Sequence, residues 1–175
     1  LFSTLIAEVQ SSDLPQQRML RVIDECESQR PHPDWALFRN IDFDQELDSL
    51  NSWLTSAIGE ADHSEQFKGL WFGLNNPGDE NGTSADIYLA ASPEFAFGEL
   101  DWACESTFYP DTGPLCSKVL NAIYQIAYAE SKSVKNDAEY PLVLAYGAII
   151  ARAALEQHKF VGPFSFLKGA AVGFD

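Results

Sequence analysis

Apolar and polar positions change period several times along the 175 residues, and the changes mark out the elements. Leu1, Leu5 and Val9 fall on one side of a helix over LFSTLIAEVQ. SSDLP then breaks the pattern. Asp13 is the expected cap of a second helix, Pro15 suits its first turn, and Leu20, Ile23 and Cys26 carry its apolar face to about residue 29. PHPD at 31–34 is a further break, and WALFRNIDF after it reads as extended. Asp42 and Gln45 have capping-box spacing ahead of DQELDSLNSWLTSAIGE. There Leu47, Leu50, Leu54 and Ile58 recur every three or four residues, and Gly59 closes the helix.

From Lys68 the period shortens. LWFGL and ADIYLAA are short, aromatic and branched, and turn residues separate them. They predict an antiparallel hairpin over about 68–91. SPEFAFGELDW continues as a candidate third strand over 95–103, interrupted at Gly98. After PDTGP, the run LCSKVLNAIYQIAYAE puts Cys116, Val119, Leu120, Ile123 and Ala127 on one helical face. Pro141 is expected at the start of the next helix, with Asp137 or Glu139 as acidic first-turn residues. PLVLAYGAIIARAALEQ is apolar almost all round, which predicts a buried helix. LKGAAVGFD reads as a C-terminal strand over about 169–175 that returns to the hairpin. Helices, strands, helices, strand is not a βαβ alternation. The prediction is one α+β domain over 1–175, an antiparallel sheet packed by four to five helices mostly on one face.

Composition fits a globular domain of this size: 46% hydrophobic and 13% aromatic residues supply a core. The three cysteines are odd in number and far apart, which argues against a disulfide framework and for a reducing, cytoplasmic setting. No run of apolar residues is long enough to read as a membrane span. Asn81-Gly82-Thr83 is a glycosylation sequon, relevant only to a secreted eukaryotic protein.

The net charge of −15 is concentrated. From Asp24 to Glu105 there are 18 acids against Arg30, Arg39 and Lys68, which leaves 15 net; the rest of the chain carries 8 acids and 8 bases. Such a surface repels phosphates and anionic lipids, so neither nucleic acid nor membrane is the expected partner. A basic protein is. The plain alternative is charge kept for solubility.

Candidate chemistry is sparse. The loop NNPGDENGTS fails as an EF-hand, because counting back five from Gly82 puts Pro77 at the first ligand position. A looser ion site would use Asp79, Glu80 and Asn81, although Asn-Pro-Gly and Asn-Gly are turn formers in their own right. His32, His63 and His158 lack zinc-ligand spacing, and no metal or other cofactor is expected. There is no phosphate-binding glycine motif and no serine elbow. Cys104, between Asp101 and Glu105, reads as a packed thiol rather than a nucleophile. Asp86, Asp101 and Glu105 are interleaved with Tyr88, Trp102 and Tyr109, a pattern able to bind sugar or hydrolyse a glycoside. Trp71 and Phe72 are adjacent on a strand and point to opposite faces, so one of them needs cover from a second layer or a partner.

The order GLWFGL…ADIYLAAS, LDWACES, two helices and LEQHKFVGPFSFLKGAAVGFD resembles bacterial uncharacterised α+β domains of the immunity-protein type over about residues 68–175. The resemblance implies a non-enzymatic acidic binder of another protein, and it carries no functional residues with it. The binding candidates read from the residues are Trp71, Asp86, Tyr88, Asp101, Trp102 and Glu105. A hydrolase using paired carboxylates and a structural or oligomeric domain stand as the alternatives.

Overall fold

The computed structural model describes residues 1–76, 85–99 and 101–174. The hairpin loop with Pro77, Asp79, Glu80, Asn81, Gly82 and Thr83 therefore lies outside the described residues. Among the described residues seven α-helices and four strands follow one another: α1 (Phe2–Gln10), α2 (Pro15–Gln29), α3 (Trp35–Phe38), α4 (Leu47–Gly59), β1 (Gly69–Asn75), β2 (Asp86–Ser92), α5 (Asp101–Cys104), β3 (Leu115–Cys116), α6 (Lys118–Ala127), α7 (Asn136–Gln157) and β4 (Gly169–Phe174). A 3-10 turn, Gly162–Phe166, leads into β4.

The sheet order is β3-β2-β1-β4. Alternation along each strand sends Leu70, Phe72, Leu74, Ile87 and Leu89 to one face, where all are buried. Helix α7 lies on that face. Its apolar surround is used in full, because it meets α1, α2, α4 and α6 as well as β1 and β4. Gly147 lets it sit close: a Cβ there would come 2.9 Å from a methyl carbon of Leu74. Helix α7 has the length and apolarity of a membrane span, and most of that stretch is buried within this fold.

Three polar contacts fix the helices. Glu46, 6% exposed, accepts from the Ser117 hydroxyl (2.7 Å), the Lys118 amide and the Tyr146 hydroxyl (3.1 Å). It thus caps the N-terminus of α6 and ties α4 to α7. Buried Arg18 closes the other end of the layer, its guanidinium donating to the carbonyls of Glu8 (2.5 Å) and Val9 (2.7 Å) at the end of α1. Buried Glu139 accepts from the Asn76 amide (2.9 Å) and the Tyr128 hydroxyl, which holds the hairpin end to α6 and α7. Partial desolvation and this carboxylate push the Tyr128 hydroxyl up to about 12. The Tyr124 hydroxyl is also buried, and burial first and then the Glu139 carboxylate hold its proton more firmly still.

Several expectations are corrected. The sheet is mixed rather than antiparallel: β1 pairs antiparallel with β2 but parallel with β4. The turn before β4 is pinned beside the start of β1, with Phe67 N–H on Pro163 O (2.9 Å) and Lys168 N–H on Lys68 O (2.8 Å), so both strands run the same way. Among the described residues of 95–103 there is no strand. Gly98 has φ +83°, which breaks extension, and the edge of β2 is taken by β3 and by an Ala91–Phe108 bridge. Among the described residues the helices number seven rather than four or five, because α3 and α5 are single turns. WALF is helical since Trp35 and Phe38, three apart, are both buried and tilted together at 5.5 Å. Asp13 pairs with Arg21 (2.7 Å) and leaves Leu14 at the N-cap of α2. Asp42 and Gln45 form a local turn, and α4 begins only at Leu47. Helix α7 starts five residues ahead of Pro141. Cys116 lies exposed in β3 rather than on the α6 face, where Ser117 is the cap.

Truncating Glu46 leaves three donors unsatisfied, two of them buried. Glu46→Ala is expected to cost about 3 kcal/mol and Tyr146→Phe about 1 kcal/mol in urea unfolding. The Tyr146 proton is held well above the ordinary tyrosine value of 10.0, by burial first and then by the Glu46 carboxylate. Above that pH the unfolded chain binds fewer protons than the folded one, so stability falls as pH rises; below it the contribution is complete. The loss in unfolding free energy between about pH 8 and about pH 11 should be smaller for Tyr146→Phe than for the wild type.

Candidate binding face on the open side of the sheet

No helix longer than one turn covers the second face of the sheet among the described residues. That face is built instead from glycines and rings. The parallel register sets Gly69 beside Gly169 and Gly73 beside Gly173. All four glycines are on this face, and each carries an aromatic ring where a Cβ would be. Trp102 lies on Gly69, Tyr88 on Gly73, Phe95 on Gly169 and Trp71 on Gly173. Tyr88 is directly across from Gly73 in the hairpin, so its ring crosses β1 and its hydroxyl accepts from Trp71 Nε1–H at 3.0 Å.

The described residues 93–99 and 101–109 form a strap over this floor. The Ser92 hydroxyl accepts from Glu94 N–H (3.1 Å) at its start, and Phe108 N–H donates to Ala91 O (3.2 Å) at its end. Between these points Phe95 and Trp102 pack at 5.1 Å, and Trp102 is only 5% exposed. Phe97 points away from all of this and is 97% exposed.

All six sequence candidates come to this side. Trp71, Asp86 and Tyr88 share the outer face by strand alternation, and Asp101, Trp102 and Glu105 belong to the strap. They divide between two recesses. A larger one of about 700 Å³ is walled by Trp71, Asn75, Tyr88, Cys104 and Tyr109. A smaller one of about 250 Å³ is ringed by Glu94, Glu99, Asp101 and Glu105 around Phe95 and Trp102. Asp86 lines neither, although it faces Asn75 across the hairpin. The four carboxylates of the small recess are solvent-exposed, whereas a glycosidase acid works in an apolar, water-poor pocket. Cys104 is exposed in the wall of the larger recess rather than packed. By contrast Cys26 is buried, and burial pushes its thiol up to about 11. Among the described residues no group of three or more His, Cys, Asp or Glu side chains is placed to hold a metal.

Phe95, Phe97, Tyr109 and the four floor glycines were not among the candidates. The signal for the floor was a repeated spacing: GLWFG at 69–73 and GAAVG at 169–173 both place glycines four apart. A third concavity of about 520 Å³ lies between α1, α7 and β4; it is apolar, with Arg152 at its margin. Comparison with protein-family models, with curated proteins and with solved structures finds no match for this chain.

A side chain added to the floor has nowhere to go without lifting a ring. Gly73→Ala is expected to cost about 2 kcal/mol in urea unfolding and to alter the near-ultraviolet circular dichroism of Trp71 and Tyr88. Gly59→Ala meets nothing within 4 Å at the end of α4 and should be neutral or stabilising by about 0.5 kcal/mol.

Proposed function

We propose that this chain is a non-enzymatic binding protein whose partner is a basic protein, engaged through the strap on the open side of the sheet. What supports the reading above all is Phe97. A large apolar side chain left in water is unremarkable on a loose loop. Here the segment that presents it is anchored by the Phe95–Trp102 pair and by hydrogen bonds at both ends, so Phe97 is held out by a braced support. Glu94, Glu99, Asp101 and Glu105 stand around that support. An aromatic anchor inside a charged rim is the anatomy of a protein-binding hot spot, since the ring supplies buried area and the rim supplies orientation.

The charge agrees. Between Lys68 and Lys118 the chain has no Lys, Arg or His, and it has eight acids: Asp79, Glu80, Asp86, Glu94, Glu99, Asp101, Glu105 and Asp111. A uniform negative field of this kind speeds encounter with a cationic surface and rejects acidic ones. An immunity- or inhibitor-like role fits a protein that binds in this way. The three unpaired cysteines favour the cytoplasm as its place of action.

Capture from a lysate of the source cell on immobilised wild type and Phe97→Ser is the direct comparison. A basic protein should be retained by the wild type, be released by moderate salt, and bind the variant at least about tenfold more weakly. A partner that is acidic, or that both baits hold equally, would remove the reading. Phe97 is too exposed for its replacement to disturb the fold.

A further inference from the structure

The larger recess on the open side combines two properties that belong to one ligand chemistry. Its walls are aromatic: Trp71, Tyr88 and Tyr109 all border it. The hydrogen bond from Trp71 to Tyr88 fixes two of these rings relative to each other. The glycines beneath Tyr88 and Trp71 leave room for these rings close against the sheet. Its surroundings are anionic. Asp86 faces Asn75 at one end, Glu105 follows Cys104 at the other, and among the described residues no Lys, Arg or His lines the recess. Aromatic rings with Asp86 and Glu105 just outside the recess, and no cation in its lining, attract a positive group that can lie flat.

We infer that this recess receives an arginine side chain of the basic partner, its guanidinium stacked against Trp71, Tyr88 and Tyr109. The inference rests on the reading of the chain as a binder of a basic protein and adds the residue type that is recognised. Arginine fits better than lysine on physical grounds. A guanidinium is planar, weakly hydrated and able to stack on a ring while its N–H groups still reach carboxylates at the rim. An ammonium is a compact, strongly hydrated charge and gains less from a flat aromatic wall. A recess of about 700 Å³ also has room for the apolar stem of the arginine and part of a neighbouring residue.

The protein carries its own reporter. Of its four tryptophans, Trp35, Trp53 and Trp102 are buried, and Trp71 is the accessible one. Titrating the intact chain with hexa-arginine and hexa-lysine peptides, while following tryptophan fluorescence and its quenching by acrylamide, separates the outcomes. Hexa-arginine should bind several-fold more tightly than hexa-lysine, shield Trp71 from acrylamide, and bind Tyr109→Ala about tenfold more weakly. Tyr109 is 60% exposed, so this variant should keep the thermal unfolding midpoint of the wild type, which is measured alongside. Equal binding of the two peptides, with no change at Trp71 and no effect of Tyr109→Ala, would overturn the arginine recess and leave only charge-driven binding of a basic partner. No binding of either peptide at low salt would overturn both readings.

Discussion

The open side of the sheet depends on the absence of four Cβ atoms. A four-stranded sheet with all its long helices on one face has to protect its second face in some other way. Here the protection is four rings that occupy the space a Cβ would take at Gly69, Gly73, Gly169 and Gly173. The parallel register of β1 and β4 is part of the same solution, because it brings the glycines into two side-by-side pairs. Rings laid down in this way need little thickness above them. A strap of irregular chain with one helical turn suffices as cover, and the recess beside it stays open.

The helix side follows a different logic. There an apolar helix, α7, is surrounded on all sides, and the polar groups taken inside are those that close helix ends. Glu46 caps α6, and Arg18 closes α1. Each buried charge meets hydrogen-bonding groups, backbone at Arg18, side chain at Glu139 and both at Glu46, which is how a charged side chain becomes tolerable in an interior. The two sides therefore differ in kind: one is a packed core with its polar ends sealed, the other a thin aromatic surface fringed with carboxylates.

Much of the helix side was legible in the sequence. The three- and four-residue spacing of Leu47, Leu50, Leu54 and Ile58 located α4, and the apolar run after Pro141 located the core of α7. Period-two alternation correctly put Trp71 and Phe72 on opposite faces of β1. What failed was long-range geometry. Phe95 and Phe97 alternate like strand residues, yet one lies on a glycine of β4 and the other stands in water, and only tertiary contact decides between them. The direction of β4 was equally hidden, because the connection from β1 is long enough to return either way. Glu46 looked like one acid among many ahead of α4; its role depends on Ser117 and Tyr146, which are distant in sequence.

The pairing of Gly69 with Gly169 spans 100 residues. A contact of that separation closes late, after local helices and the β1–β2 hairpin can already have formed. Until β4 arrives, β1 has an open edge, and neither Trp71 nor Phe95 has the glycine beneath its ring. The aromatic surface is therefore a product of the final docking step. A chain that has built its helical core but not yet seated β4 would be compact yet lack this aromatic surface, which is completed only when β4 docks.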